Sequence, residues 1–143
     1  MTSSNSRSSA SSAIAKAAFI DAVSSNASNA GERHIAFLVY SDFQLQDLGG
    51  PLAVFDEASR LSNRKSYQCH IVSIDGGPVS SSSGLEVFTT KIQSFPYDTL
   101  LVVGSALSMK PTSPPPQALT NFIRDAESIG IRRIGSVCIG AFV

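Results

Sequence analysis

The chain has 143 residues, is 43% hydrophobic and 15% charged, and balances 11 Lys+Arg against 11 Asp+Glu. Its length suits one domain of modest size, and zero net charge leaves no electrostatic footprint for nucleic acid or an anionic membrane. No apolar run approaches the ~20 residues of a bilayer span, and two cysteines outside any CxxC pair, Cys69 and Cys138, argue against a disulfide framework and for a reducing cytosol.

Residues 1–32 are rich in Ser, Ala and Asn. Such a segment buries too little to offset its ordering entropy and is expected to be a disordered tail. A transit peptide is the alternative, given many serines and few acids, and Ala13–Val23 suits a transient helix. At His34 the pattern changes: His34–Tyr40 is a continuous apolar run, suited to a strand buried on both faces. Ser41–Gly50 reads as a loop. Pro51, favoured in a first helical turn, opens a predicted helix to Leu61 with Leu52, Phe55 and Ala58/Ser59 at helical spacing. Tyr67–Ile74 is a second predicted strand, in which Cys69 reads as a small buried residue. Asp75-Gly76-Gly77-Pro78 is a strong turn signal. The Ser-rich Val79–Gly84 is turn-like and Leu85–Thr90 alternates as a short strand, so this region is expected to be a small hairpin or edge excursion.

Thr99–Val103 is a further buried strand, ending at Gly104. Ser105–Pro116 is a loop containing Pro111, Pro114, Pro115 and Pro116. Gln117–Ile129 is an amphipathic helix with Leu119, Phe122, Ile123 and Ala126 on one face, and Gly130 suits its C′ position. Ile131–Val137 is the last predicted strand, after which Cys138 starts another helix. Buried strands alternating with helices predict an α/β fold with a doubly wound, mostly parallel, flavodoxin-like sheet, and such sheets bind ligands beyond the carboxyl ends of their strands. Asp47, Gly104-Ser105 and Cys138 each follow such an end.

Ser136-Val137-Cys138-Ile139-Gly140 has the small–x–nucleophile–x–small form of a nucleophile elbow. Small flanks let strand and helix approach around a strained turn. A helix N-terminus beneath the sulfur favours thiolate, and the Ile139 N–H is placed to donate to an oxyanion. The bland alternative is a buried cysteine at the end of a core strand. Asp47 is either a first-turn carboxylate of a helix or an acid/base partner held near the Cys138 sulfur. Gly104 is either a turn glycine or a point of close backbone approach beside a ligand. His34 and His70 lack metal-ligand spacing, so no metal or other cofactor is expected. Arg132-Arg133 reads as a solvated approach to the last strand.

With these residues in place, Arg33–Val143 resembles the ThiJ/PfpI superfamily, the class I glutamine-amidotransferase-like fold. The resemblance rests on Asp42–Leu52, Val72–Val79, Ser82–Leu85 and Gly135–Phe142. Phe55–Leu61 followed by Tyr67 is similar to the amidase-like N-terminal domains of AraC-type regulators. The resemblance implies a small-molecule-sensing domain in which Cys138 inherits the position of the nucleophile and Asp47 that of its acid/base partner, with Gly104, Ser105, Ile139 and Gly140 beside the ligand. It implies DNA binding only through a C-terminal helix-turn-helix part absent from this chain, a homodimeric intact protein, a cytoplasmic location, no membrane partner and a sequence truncated relative to the family. The alternative implied is a Cys-dependent hydratase or amidase-like enzyme of the isocyanide hydratase type. Ile139 stands where the family commonly has Thr, and Ser105 where hydratase-type pockets usually have glycine; both departures favour sensing.

Overall fold

The computed structural model describes residues 31–61, 66–92, 97–105 and 115–143. In chain order these form β1 (Arg33–Leu38), α1 (Leu45–Leu61), β2 (Tyr67–Ser73), β3 (Gly77–Ser80), β4 (Glu86–Lys91), β5 (Thr99–Val102), α2 (Gln117–Asp125), β6 (Arg133–Ser136) and a 3-10 turn over Cys138–Phe142. The strands make one sheet in the order β3-β4-β2-β1-β5-β6.

The centre of the sheet follows from apolarity. β1 carries the expected unbroken run, and Ile35, Ala36, Phe37 and Leu38 are all buried. A strand buried on both faces needs parallel neighbours covered by helices. β2 pairs with β1 from Arg33↔Tyr67 to Leu38↔Val72, and β5 pairs on the other side from Ile35↔Thr99 to Leu38↔Val102. β6 extends this parallel set, Thr99↔Arg133 to Val102↔Ser136, and β4 pairs parallel with β2 at Val72↔Thr90. Only β3, antiparallel to β4, breaks the pattern; this is the expected hairpin. It starts earlier than the turn-like reading of Val79–Gly84 implied, because Gly76 and Gly77 adopt φ of 77° and 83° and complete the turn before Pro78.

Side chains alternate along β1 and divide the core in two. Ile35, Phe37 and Val39 pack with Phe43, Leu48, Leu52 and Phe55 on the α1 side. Ala36, Leu38 and Tyr40 pack with Leu100, Val102, Leu119 and Ala126 on the α2 side. Helices therefore cover both faces, as a doubly wound sheet requires.

Several other boundaries differ from the sequence reading. Helix α1 begins at Leu45, inside the segment read as a loop, so Pro51 lies within the helix rather than at its start. Tertiary packing overrides the weak propensity of Gly49-Gly50-Pro51: Leu48 is buried in the core, and Asp47 and Leu48 donate their N–H groups to Gln44 O. The segment after β6 is a five-residue 3-10 turn rather than the start of an α-helix, and α2 proper ends at Asp125. Residues 1–30 of the expected tail, residues 62–65 after α1, and residues 106–114 of the Pro-rich loop lie outside the described residues. Among the described residues no helix is long and apolar enough to cross a membrane.

Candidate functional site

The strand order reverses direction at β1, whose neighbours β2 and β5 lie on opposite sides, so the carboxyl ends of β1 and β5 flank the crevice that open α/β sheets use for ligands. The loop leaving β1 is tied across this crevice. Gln44 N–H donates to Gly104 O at 2.8 Å, joining the start of α1 to the end of β5. Ser105 Oγ donates to Ser41 O at 2.8 Å, and Phe43 bridges both to Ser105 and to Ser81 of the hairpin. Ser105 is fully buried, so its hydroxyl holds this loop rather than facing solvent.

Gly104 is the point where the pieces meet. A Cβ there would lie 2.7 Å from Asp47 Oδ2, 3.1 Å from Ile139 Cγ1 and 3.2 Å from Val137 O. One α-carbon thus touches the first turn of α1 and the turn after β6, an approach only glycine permits. Gly140 does the same from the other side: a Cβ on it would collide with Val102 O and stand 3.3 Å from Gly104 N. Val137 N–H donates to Val102 O at 2.9 Å and Gly140 N–H to Val137 O at 3.1 Å, which pins both ends of the turn.

Between these pins sits Cys138, exposed, with φ of 55°. A non-glycine residue in this left-handed region costs about 1–2 kcal/mol and persists only where its surroundings enforce it. Among the described residues the other such non-glycine is Asp42, φ 61°, on the loop leading to Asp47. The strain is therefore concentrated on this edge. So is an electrostatic cost. Asp47 Oδ2 is the one buried side-chain polar atom among the described residues with no hydrogen-bond partner, an arrangement that costs about 1–3 kcal/mol or more for a charged group.

The structure brings Asp47, Gly104, Ile139 and Gly140 together around the Cys138 turn. Cys69 lies elsewhere, half-buried in β2 on a cavity of about 580 Å³ between α1 and β2 that Asp56 and Tyr67 also line. Burial pushes the Cys69 thiol up, and the Asp56 carboxylate adds to this. His34 and His70 form a pair, Nδ1 to Nε2 at 2.9 Å, with the His70 ring against Tyr97. No group of three or more metal-ligating side chains forms among the described residues. Reading the strands separately missed this histidine pair. The parallel register Ala36↔His70 carries the signal, because it sets His34 and His70 diagonally on one face.

Taken together, sheet order, two-sided helix cover and a strained turn at the carboxyl edge define a flavodoxin-like α/β protein. No protein-family model matches the chain. It is 42% identical over 117 residues to the uncharacterized protein in the cpoL 5′ region of Streptomyces lividans, covering 80% of this chain and 79% of that one. It is 33% identical over 110 residues to isonitrile hydratase of Pseudomonas putida, covering 76% of this chain and 45% of the hydratase. Among solved structures it superposes on an AraC family transcriptional regulator from Pseudomonas putida with a TM-score of 0.60 and 23% identity, covering 72% of this chain and 63% of that one. A ThiJ/PfpI family protein from Pseudomonas syringae matches with a TM-score of 0.56 and 24% identity, over 78% of this chain and 44% of that one. The chain belongs to one family with the Streptomyces lividans protein and has the fold of the ThiJ/PfpI protein it superposes on, and it spans less than half the length of the hydratase it matches.

Proposed function

We propose that this chain is the small-molecule-sensing ThiJ/PfpI-like domain of an AraC-type transcriptional regulator. In this reading DNA is bound through a helix-turn-helix part beyond the present sequence, and the intact protein works as a cytoplasmic homodimer. The observation that carries it is Asp47 Oδ2. The oxygen is shielded from solvent against Gly104, close to the aliphatic Ile139 side chain, and has no hydrogen-bond partner. This oxygen exchanges no proton with a substrate while the turn stays closed, although Asp47 as a whole is only half-buried. The same unsatisfied oxygen favours any rearrangement that gives it a donor, which is what a ligand-responsive turn requires. The superposition on an AraC family regulator supports the same branch.

The second reading, a Cys-dependent hydratase or amidase-like enzyme, is favoured by the 33% identity to isonitrile hydratase and by the strained, exposed Cys138. Incubation with an isocyanide, followed by NMR for the formamide product, separates the two. Sensing predicts no formamide above the blank from either the wild-type chain or Cys138→Ala. Turnover by the wild type that Cys138→Ala abolishes would replace sensing with hydration.

A further inference from the structure

At the amino-terminal edge of the sheet, away from the Cys138 turn, one carboxylate gathers arginines from the starts of two strands. Arg33 opens β1, Asp98 directly precedes β5, Arg132 directly precedes β6 and Arg133 opens it. The backbone holds these positions side by side: Asp98 N–H donates to His34 O at 3.0 Å, and Arg133 N–H to Asp98 O at 3.1 Å. Arg132 grips Asp98 with two parallel bonds, Nε to Oδ2 and Nη2 to Oδ1, each 2.9 Å. Arg33 Nη1 reaches Oδ2 at 3.0 Å. Arg133 Nη1 stands 3.8 Å from Oδ1, beyond hydrogen-bond reach.

Charge does not balance here. Three guanidinium groups against one carboxylate leave a surplus of two positive charges. The arginine side chains are 50%, 46% and 59% exposed, so the surplus faces solvent. The Arg33 Nε and Nη2 groups and the whole Arg133 fork make no hydrogen bond to Asp98, which Arg133 meets only as a 3.8 Å ion pair. Planar forks of this kind match phosphate oxygens two at a time. Asp98 meanwhile holds the forks in one place, so part of the ordering entropy of binding is already lost.

We propose that Arg33, Arg132 and Arg133 form a binding site for a phosphate-monoester dianion carried by a small soluble molecule. The chain as a whole argues for a compact ligand: with 11 basic against 11 acidic residues there is no extended field to follow a polyanion. Glu32, the nearest acid along the chain, lines the cavity between α1 and β2 instead.

The test is a titration of the ¹⁵N-labelled full chain with inorganic phosphate, at ionic strength held constant with chloride, following the arginine Nε–Hε signals. Saturable shifts confined to Arg33, Arg132 and Arg133 are expected. Arg133→Gln, which removes no hydrogen bond to Asp98, is expected to weaken the apparent affinity about tenfold or more with an otherwise unchanged spectrum; Arg33→Gln should act in the same sense. Shifts that never saturate, or variants indistinguishable from wild type, would reduce the cluster to a clamp between strands. Vesicles containing phosphatidic acid and a short DNA duplex form two further arms. Binding confined to either of these, with none to inorganic phosphate, would overturn the small soluble ligand.

Discussion

Gly104 and Gly140 have ordinary φ values, and what each lacks is room for a Cβ. At Gly104 the obstructing atoms are the Asp47 carboxylate, the Ile139 side chain and Val137 O. At Gly140 the first obstruction is Val102 O, part of the β5 backbone, with the Gly104 N next to it. A side-chain tip can shift, whereas sheet backbone cannot without breaking its pairing. Gly104→Ala should therefore cost about 1–3 kcal/mol as overpacking, and Gly140→Ala more, in the exceptional range above about 4 kcal/mol. Urea midpoints of the two variants check both the size and the order. The small flanks of Cys138, Ser136 and Gly140, were legible in the sequence as the form of a tight turn. The contact of Gly104 with Asp47 was not, because it joins residues 57 positions apart that only the pairing of β1 with β5 brings together.

At the scale of elements, α1 illustrates how packing overrides propensity. Gly49, Gly50 and Pro51 are poor interior residues, and proline removes the hydrogen bond to the carbonyl four residues back. The helix forms regardless, because Leu48, Leu52 and Phe55 bury against β1 and because Gln44 anchors the first turn. Gly50 is exposed and its missing Cβ would meet nothing within 4 Å. Gly50→Ala should thus stabilise the chain by about 0.5–1 kcal/mol, read as a rise in the urea midpoint at unchanged slope. Destabilisation instead would mean that the glycine serves a contact absent from this structure. The helix start was misplaced from sequence because the buried contact of Leu48 is non-local, whereas the Gly-Gly-Pro signal is local and misleading.

The whole molecule is expected to lose stability in two steps as pH falls. Burial pushes His70 below its ordinary value, repulsion from His34 adds to this, and Glu32 partly opposes it; Tyr97 packs on the ring without charge. A histidine depressed in the folded state binds its proton more readily once unfolded. Its contribution is therefore full above the unfolded value of ~6.5 and declines as pH falls below it. Asp98 follows at lower pH. Burial pushes its carboxyl up, but hydrogen bonds from Arg132 and Thr99 and the charges of Arg132 and Arg33 outweigh this and hold it below its ordinary value. Its contribution is present above the unfolded value of ~3.9 and is lost as pH falls through the lower folded value. Urea midpoints between pH 7.5 and 3 should show both declines. His70→Gln should flatten the upper one alone, and Asp98→Asn the lower one alone. A single decline, or His70→Gln without effect, would contradict the assignment.

The period and run length of apolar residues by themselves determined most of the architecture. A continuous run at His34–Tyr40, repeated buried strands and intervening amphipathic segments allow little other than a helix-covered parallel sheet, because a strand apolar on both sides has to be buried on both sides. The same reading determined that Asp47, Gly104 and Cys138 follow strand ends and so share one edge. Only the tertiary structure decided what they do to one another there. It set the Cys138 turn at a strained φ, shielded Asp47 Oδ2 without a partner, turned Ser105 inward to hold a loop, and gathered Arg33, Arg132 and Arg133 about Asp98. These are contacts between segments distant in the chain, fixed by strand register and close backbone approach, and nothing in the local order of residues encodes them.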